Sequence, residues 1–312
     1  MMNDESTYSQ FNVTRCEILE AMKFLCGFLF VFLSFFPVQA QQLAPTSQLL
    51  CNLKDTRINE SSGLAASRKY ADYNLLWTHN DSGGTPQVFL FNPDGETVAT
   101  VTLTGVQNRD WEDMAVAGGY IYVGDIGDNL RRHESVVIYR LPEPQLNPEG
   151  KNQEIQVVPE KMTLKYPDAP CDSETLMATR SGELVLVSKN GGASRFYKTP
   201  RPFENNSTQI LELVGEYAFT GPTAWSYLTT AGDLSPDDRR FVVRTYTHAH
   251  EWQLPADGDW KSALAQAPRS WELPKAKQGE AICYSTDAMQ YFVSSEGTPA
   301  PIWEIEFAPF SN

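Results

Sequence analysis

Alternating apolar and polar positions run along most of the chain in short bursts of four to eight residues. One set of bursts ends in polar residues: LLWTHND (75–81), YIYVGD (120–125), LVLVSKN (184–190), FVVRTY (241–246) and YFVSSE (291–296). A second set follows each of these: VFLF (88–91), VVIYRL (136–141), SRFYKT (194–199), HEWQL (250–254) and PIWEIEF (301–307). A third set comes after that: TVATVTL (97–103), KMTLKY (161–166), ILELVGEYAF (210–219) and RSWEL (269–273). All are rich in Val, Ile, Tyr, Phe and Thr, so each predicts a β-strand. Turn chemistry separates them, as at Asn92-Pro93-Asp94-Gly95, Ser235-Pro236-Asp237-Asp238 and Asp257-Gly258. Residues 41–312 show no convincing helical period.

Before each first burst stands a glutamate that opens a further apolar run: Glu60, Glu112, Glu174 and Glu280, with Thr230 where a fifth would fall. These markers recur at roughly 50- to 60-residue intervals, and a period in that range in a β-rich chain signals a propeller. Each repeat supplies four strands except the last, which runs out of chain after three. The segment QLLCNLKD (48–55), just before Glu60, supplies the missing outer strand. The expectation is therefore an all-β, five-bladed β-propeller closed by the N-terminal strand, with six blades as the alternative count. The doubtful place is AWSYL (224–228), which adds irregular structure to the fourth repeat. Radial repetition leaves only short outer edges and so controls edge-to-edge pairing.

The N-terminal forty residues do not belong to this pattern. Phe24–Phe36 is apolar apart from Ser34 and too short to span a bilayer. Met22-Lys23 precedes it and Pro37-Val38-Gln39-Ala40 follows it, so residues 22–40 are expected to be a secretory signal peptide cleaved after Ala40. A single membrane anchor is the competing reading. Residues 1–21 carry Asp4, Glu5, Glu17 and Glu20 against Arg15, wrong for an export leader, and are read as a misassigned extension ahead of a start at Met22. Residues 41–312 form one propeller domain, expected to be a monomer that is secreted or periplasmic and does not insert in the membrane once the leader is removed. The net charge of −14 makes nucleic acid and anionic membrane poor partners and cations good ones. Cys51, Cys171 and Cys283 are too few and too odd in number for a disulfide framework, so no disulfide is expected.

In an antiparallel blade the first strand starts at the face to which the second returns. One face therefore gathers Glu60, Glu112, Glu174 and Glu280 around the axis, with Asn80, Asp81, Asp125, Lys189, Arg244 and Glu296 at the second-strand ends. The entering loops add Arg109, Asp110, Trp111, Asp172 and Lys277. Four carboxylates around a narrow axis repel one another. A bound cation, the charges of Lys189 and Arg244, or proton uptake must offset this. Hard oxygen ligands with almost no histidine suit Ca²⁺ or Mg²⁺ rather than zinc. The competing structural reading has each glutamate accept backbone N–H groups from the neighbouring blade. Trp111 is read either as a stacking surface for a sugar or base or as a channel plug. Lys189 and Arg244 either hold an anionic substrate group or balance the glutamates. GDIGDN (124–129), NDSGG (80–84) and His248-x-His250 are each better explained by turns or surface placement than by metal. No nucleophile elbow, phosphate-cradling glycine loop or HExxH helix is present.

INESSGLAAS (58–67), LLWTHNDSGG (75–84), DWEDMAV (110–116), YVGDIGDN (122–129), YRLPEP (139–144), RTYTHAHEW (244–252) and QGEAI (278–282) together resemble a family of uncharacterised secreted bacterial β-propeller proteins. That resemblance implies the fold and no particular reaction. More distantly, a Glu opening each inner strand is similar to the gluconolactonase and regucalcin-like propellers and to the calcium-activated apyrases, where channel metal supports lactone or nucleotide hydrolysis. Two functions follow as expectations. One is a Ca²⁺-dependent (or Mg²⁺-dependent) hydrolase of lactones, phosphoesters or nucleotides. In it Glu60, Glu112, Glu174 and Glu280 hold metal, and Glu112, Lys189 and Arg244 act in catalysis. Asn80, Asp81, Trp111, Asp125 and Glu296 contact substrate. The other is a non-catalytic propeller module of the cell envelope that binds a glycan or protein at the same channel mouth.

Overall fold

The computed structural model describes residues 45–307. The expected leader and N-terminal extension lie outside the described residues. Five sheets, antiparallel apart from one added parallel strand in each of two, are arranged around an axis as a five-bladed propeller. The first blade holds β2 (Ser61–Ala66), β3 (Leu76–Asn80), β4 (Gln87–Phe91) and β5 (Thr97–Leu103). The second holds β6 (Trp111–Ala117), β7 (Tyr120–Asp125), β8 (Val136–Pro142) and β10 (Glu160–Lys165). The third holds β11 (Ser173–Ala178), β12 (Leu184–Ser188), β13 (Ala193–Lys198) and β15 (Glu212–Ala218). The fourth holds β16 (Thr229–Leu234), β17 (Arg240–Thr245), β18 (His248–Gln253) and β19 (Arg269–Glu272). The fifth holds β20 (Gly279–Tyr284), β21 (Gln290–Ser295) and β22 (Pro301–Glu306). Its outer strand is β1 (Thr46–Asn52), paired antiparallel to β22 from Thr46↔Glu306 to Asn52↔Pro301. The N-terminal strand thus closes the ring, as the repeat count requires.

Two strands were not foreseen. β9 (Gln153–Val157) and β14 (Thr208–Ile210) each lie parallel on the outer strand of the preceding blade, β9 on β5 and β14 on β10. Both belong to connections between the third and fourth strands of the next blade. The run 210–219, expected as one strand, is accordingly split: its start completes the second blade and the remainder is the outer strand of the third. The fourth blade's equivalent connection carries a short helix, Trp260–Leu264, which packs on β15 and is N-capped by Asp259, whose side chain accepts from the Ser262 amide. The first blade's connection is a tight turn whose Gly95 carbonyl accepts from the Lys54 amide beside β1. The outer strands of the first and second blades are thereby paired and that of the third is flanked by the helix, which blunts these strand edges.

The core lies between blades. Five apolar clusters alternate with the sheets, one for each neighbouring pair. Trp77 and Trp111 fill the first interface, and Phe196, Phe241, Trp252 and Trp260 fill the third. Removing one such aromatic side chain costs about 3–5 kcal/mol, so these layers hold the blades in fixed rotation. Cys51, Cys171 and Cys283 are buried and unpaired, as their number suggested. Among the described residues no helix is long and apolar enough to cross a membrane.

Candidate functional site: the acidic channel mouth

Each inner strand carries a β-bulge at the face where it begins. The extra residue is Ser62 in β2, Glu112 in β6, Glu174 in β11 and Thr230 in β16; in β20 the irregularity spans Glu280 and Ala281. A bulge re-aims one side chain out of the sheet's alternation. Here it produces a ring with one residue per blade. Glu112, Glu174 and Glu280 belong to this ring, but Glu60 does not: Ser62 takes the first-blade position. Glu60 instead stands two residues ahead of the bulge, level with Asp110, Asp172 and Gln278. The sequence signal was there as an acid-x-Glu pattern, Asp110-Trp111-Glu112 and Asp172-Ser173-Glu174, with Glu60-Ser61-Ser62 as its variant.

The second strands show a similar shift. The residues just past their ends are Asp81, Ile126, Lys189, Tyr246 and Glu296. Arg244 lies two residues deeper than Tyr246 and is fully buried. Its Nη1 donates to the carbonyls of Ala281 (2.6 Å) and Ser294 (2.9 Å), tying the fourth blade to the fifth. Gly279 permits this, because a Cβ there would fall 1.8 Å from Arg244 Nη2. Burial lowers the Arg244 pKa to about 10, against the pull of Glu280. The anion-holding role expected of Arg244 requires access that this position denies.

The carboxylates of Asp81, Asp110 and Glu112 offer oxygen atoms within 4.8 Å of one another, and so do those of Glu112, Asp172 and Glu174. Glu112 is common to both groups. The chain at Gly127 presses against this centre: a Cβ there would lie 2.1 Å from Glu112 Oε1 and 2.5 Å from Asp110 Oδ2. Asp172 Oδ1 accepts from the Asp128 amide at 2.9 Å, and Glu174 Oε1 accepts from Lys189 Nζ at 2.7 Å. Lys189 sits over the Tyr246 ring, its Nζ 5.3 Å from the centroid. Burial works against the Lys189 charge, but Glu174 more than offsets it and keeps the ammonium protonated.

The acids show the strain of this crowding. Burial raises Glu112 well above its ordinary value, and Glu174, Asp81 and Asp110 raise it further. Burial likewise brings Glu174 to about 8, Glu296 to about 7 and Asp110 to about 6, each with added repulsion from neighbouring carboxylates. Asp81, Asp172 and Glu280 move in the same direction for the same first cause. Gln278 donates to Glu296 Oε1 at 2.7 Å and links it to the rim.

The remaining expected contacts serve the fold. Trp111 is fully buried between the first two blades, 5.6 Å from His79 in a T-shaped pair, where no ligand reaches its ring. Asn80 accepts from the amides of Asn59 and Glu60, both at 3.1 Å, and so shapes the entering loop. Asp125 pairs with Arg109 at 3.1 Å. Asp128 of the GDIGDN turn accepts from the amides of Arg132 and His133, which outweigh burial and lower its pKa. His250 bonds Ser270 and stacks with His248, away from the axial acids.

No protein-family model matches the chain, and no curated protein matches it in sequence. Among solved structures, a gluconolactonase from Xanthomonas campestris superposes with a TM-score of 0.47 at 11% identity, over 88% of this chain and 94% of that one. A protein of unknown function from Bacteroides thetaiotaomicron superposes with a TM-score of 0.47 at 12% identity, over 85% of this chain and 76% of that one. At this identity and superposition, nothing about the chemistry of the present channel follows from either likeness.

Proposed function

We propose that the chain is an exported divalent-cation-dependent hydrolase working at the acidic channel mouth. The observation that carries this reading is the pair of carboxylate groups sharing Glu112: five acids, from Asp81, Asp110, Glu112, Asp172 and Glu174, converge with Lys189 as their near cation. Buried like charges at such spacing are unfavourable unless a cation or protons join them. All-oxygen donors match Ca²⁺ or Mg²⁺. When bound, such an ion would polarise a carbonyl or phosphoryl oxygen and make water more acidic. Glu112 and its neighbours hold the ion. Lys189 orients Glu174 by direct pairing. Glu296, half-buried at the rim and outside both carboxylate groups, is the general base, in its ionised form above a pKa of about 7. Lactones are the substrates to test first.

The test is the melting temperature of the full chain in excess EDTA and then in millimolar Ca²⁺ or Mg²⁺. A site filled to about 100 times its dissociation constant adds about 2.7 kcal/mol, a rise of roughly 5–10 °C for a domain of this size. Glu112→Gln should abolish the rise while the protein stays folded. No shift with either ion would overturn the metal reading and leave a non-catalytic binding module.

A further inference from the structure

Trp225 is 60% exposed, the most exposed tryptophan among the described residues. It belongs to the loop that enters the fourth inner strand, and such loops lie on the channel-mouth face. The loop is tied down. A 3₁₀ turn spans Ala224–Ser226. Ser226 is buried and its hydroxyl accepts from Thr247 Oγ1 at 3.0 Å, while Tyr227 OH donates to the Gly221 carbonyl at 3.1 Å. An exposed indole on a pinned loop retains a face for a ligand at little ordering cost.

Contacts run from this indole to the acidic centre without a break. Trp225 meets Tyr246 edge to face, ring centroids 5.1 Å apart at 88°. Tyr246 lies under Lys189 Nζ at 5.3 Å, and Lys189 pairs with Glu174 at 2.7 Å. Tyr246 stands where the first, third and fifth blades place Asp81, Lys189 and Glu296. The fourth blade also carries Thr230 rather than Glu in the bulge ring, so it adds aromatic and uncharged side chains to a mouth otherwise lined by acids and Lys189.

We propose that Trp225 and Tyr246 form the substrate-binding wall of the channel mouth and select a neutral carbohydrate ring. The inference deepens the hydrolase reading by naming its substrate class, and it rests on that reading only for the chemistry that follows binding. The C–H face of a sugar packs on an indole, while its hydroxyls are donors for the surplus of carboxylate acceptors across the mouth. A nucleotide could also stack, but the nearest cation, Lys189, is already paired with Glu174, and the phosphates would meet the acids Glu174, Glu280 and Glu296. Charge complementarity therefore favours the neutral ring.

Calorimetric titration of the full chain in millimolar Ca²⁺ tests this, with cellotetraose, maltotetraose and chitotetraose as neutral probes and AMP as the anionic stacking control. At least one sugar should bind, and Trp225→Ala should weaken it about tenfold, the loss expected for one stacking aromatic. Trp225→Phe should restore part of the affinity, with the melting temperature unchanged in both variants. Binding of none of the sugars, equal sugar affinity in Trp225→Ala, or binding of AMP alone would overturn the proposal. Trp225-dependent sugar binding with no rise in melting temperature on adding Ca²⁺ or Mg²⁺ would support the wall and overturn the metal-dependent reading, so the two fail separately.

Discussion

Two levels of the same channel hold buried acids, and they use them in opposite ways. Deep in the channel, Asp113 is fully buried and accepts three backbone N–H bonds: from Met114 at 2.8 Å, Leu176 at 2.9 Å and Gly232 at 3.2 Å. Asp233 repeats the device with the amides of Leu234 and Tyr284. These carboxylates reach across to the third, fourth and fifth blades. One residue earlier, Glu112 has other carboxylates for neighbours, and the cation Lys189 is committed to Glu174. The inter-blade tie imagined for the glutamates is thus performed by the aspartates, which frees the glutamates for a ligand. Burial alone does not distinguish a structural acid from a binding one; what its oxygens accept does.

The comparison is broken most directly at Asp113. Asp113→Ala strands three buried amides, each worth about 1–3 kcal/mol, and should destabilise the fold by about 3–5 kcal/mol in chemical denaturation. Asp113→Asn keeps an acceptor and should cost less. Glu112→Gln should go the other way, raising metal-free stability by about 1 kcal/mol as repulsion is relieved. A loss of stability from Glu112→Gln as large as that from Asp113→Ala would erase the distinction between the two levels.

A smaller effect should appear with pH. Asp110, Glu296 and Glu174 have pKa values raised by burial to about 6, 7 and 8, above those of the unfolded chain. Between about pH 4 and pH 8 the folded state holds protons that the unfolded state has released, so metal-free stability should fall as pH rises through that window. Millimolar Ca²⁺ should flatten the fall, because the ion takes the place of the protons. A metal-free melting temperature that is flat from pH 5 to 8 would mean that the mouth acids are not in conflict. The smallest effect concerns register. Glu60 stands outside the bulge ring and outside both carboxylate groups. Glu60→Gln should change stability by no more than about 0.5 kcal/mol and leave the Ca²⁺ shift intact. Loss of that shift would return Glu60 to the metal shell.

Much of the site was legible. Glu112 and Glu174 announce themselves by repetition, and Lys189 by its place at a second-strand end. Asp110 and Asp172 were visible as entering-loop residues, but their partnership with Glu112 was not, because it depends on how neighbouring blades rotate. Trp111, set among acids in the sequence, packs between the first two blades because the bulge aims Glu112, not the indole, at the axis. Tyr246 went unnoticed beside Arg244 because the end of β17 cannot be fixed to two residues from pattern alone.

The sequence by itself determined the four-strand repeat and the N-terminal closure, and pointed to five blades over six. Those follow from short-range alternation, turn residues and a period, all of which are local. The tertiary structure decided which residue of each repeat faces the axis, since five bulges and the inter-blade packing set that register together. It decided that Arg244 is a tie and Trp225 a surface. It also decided that four acids from three repeats meet around Glu112, because closing a ring brings distant residues to one axis whatever their separation along the chain.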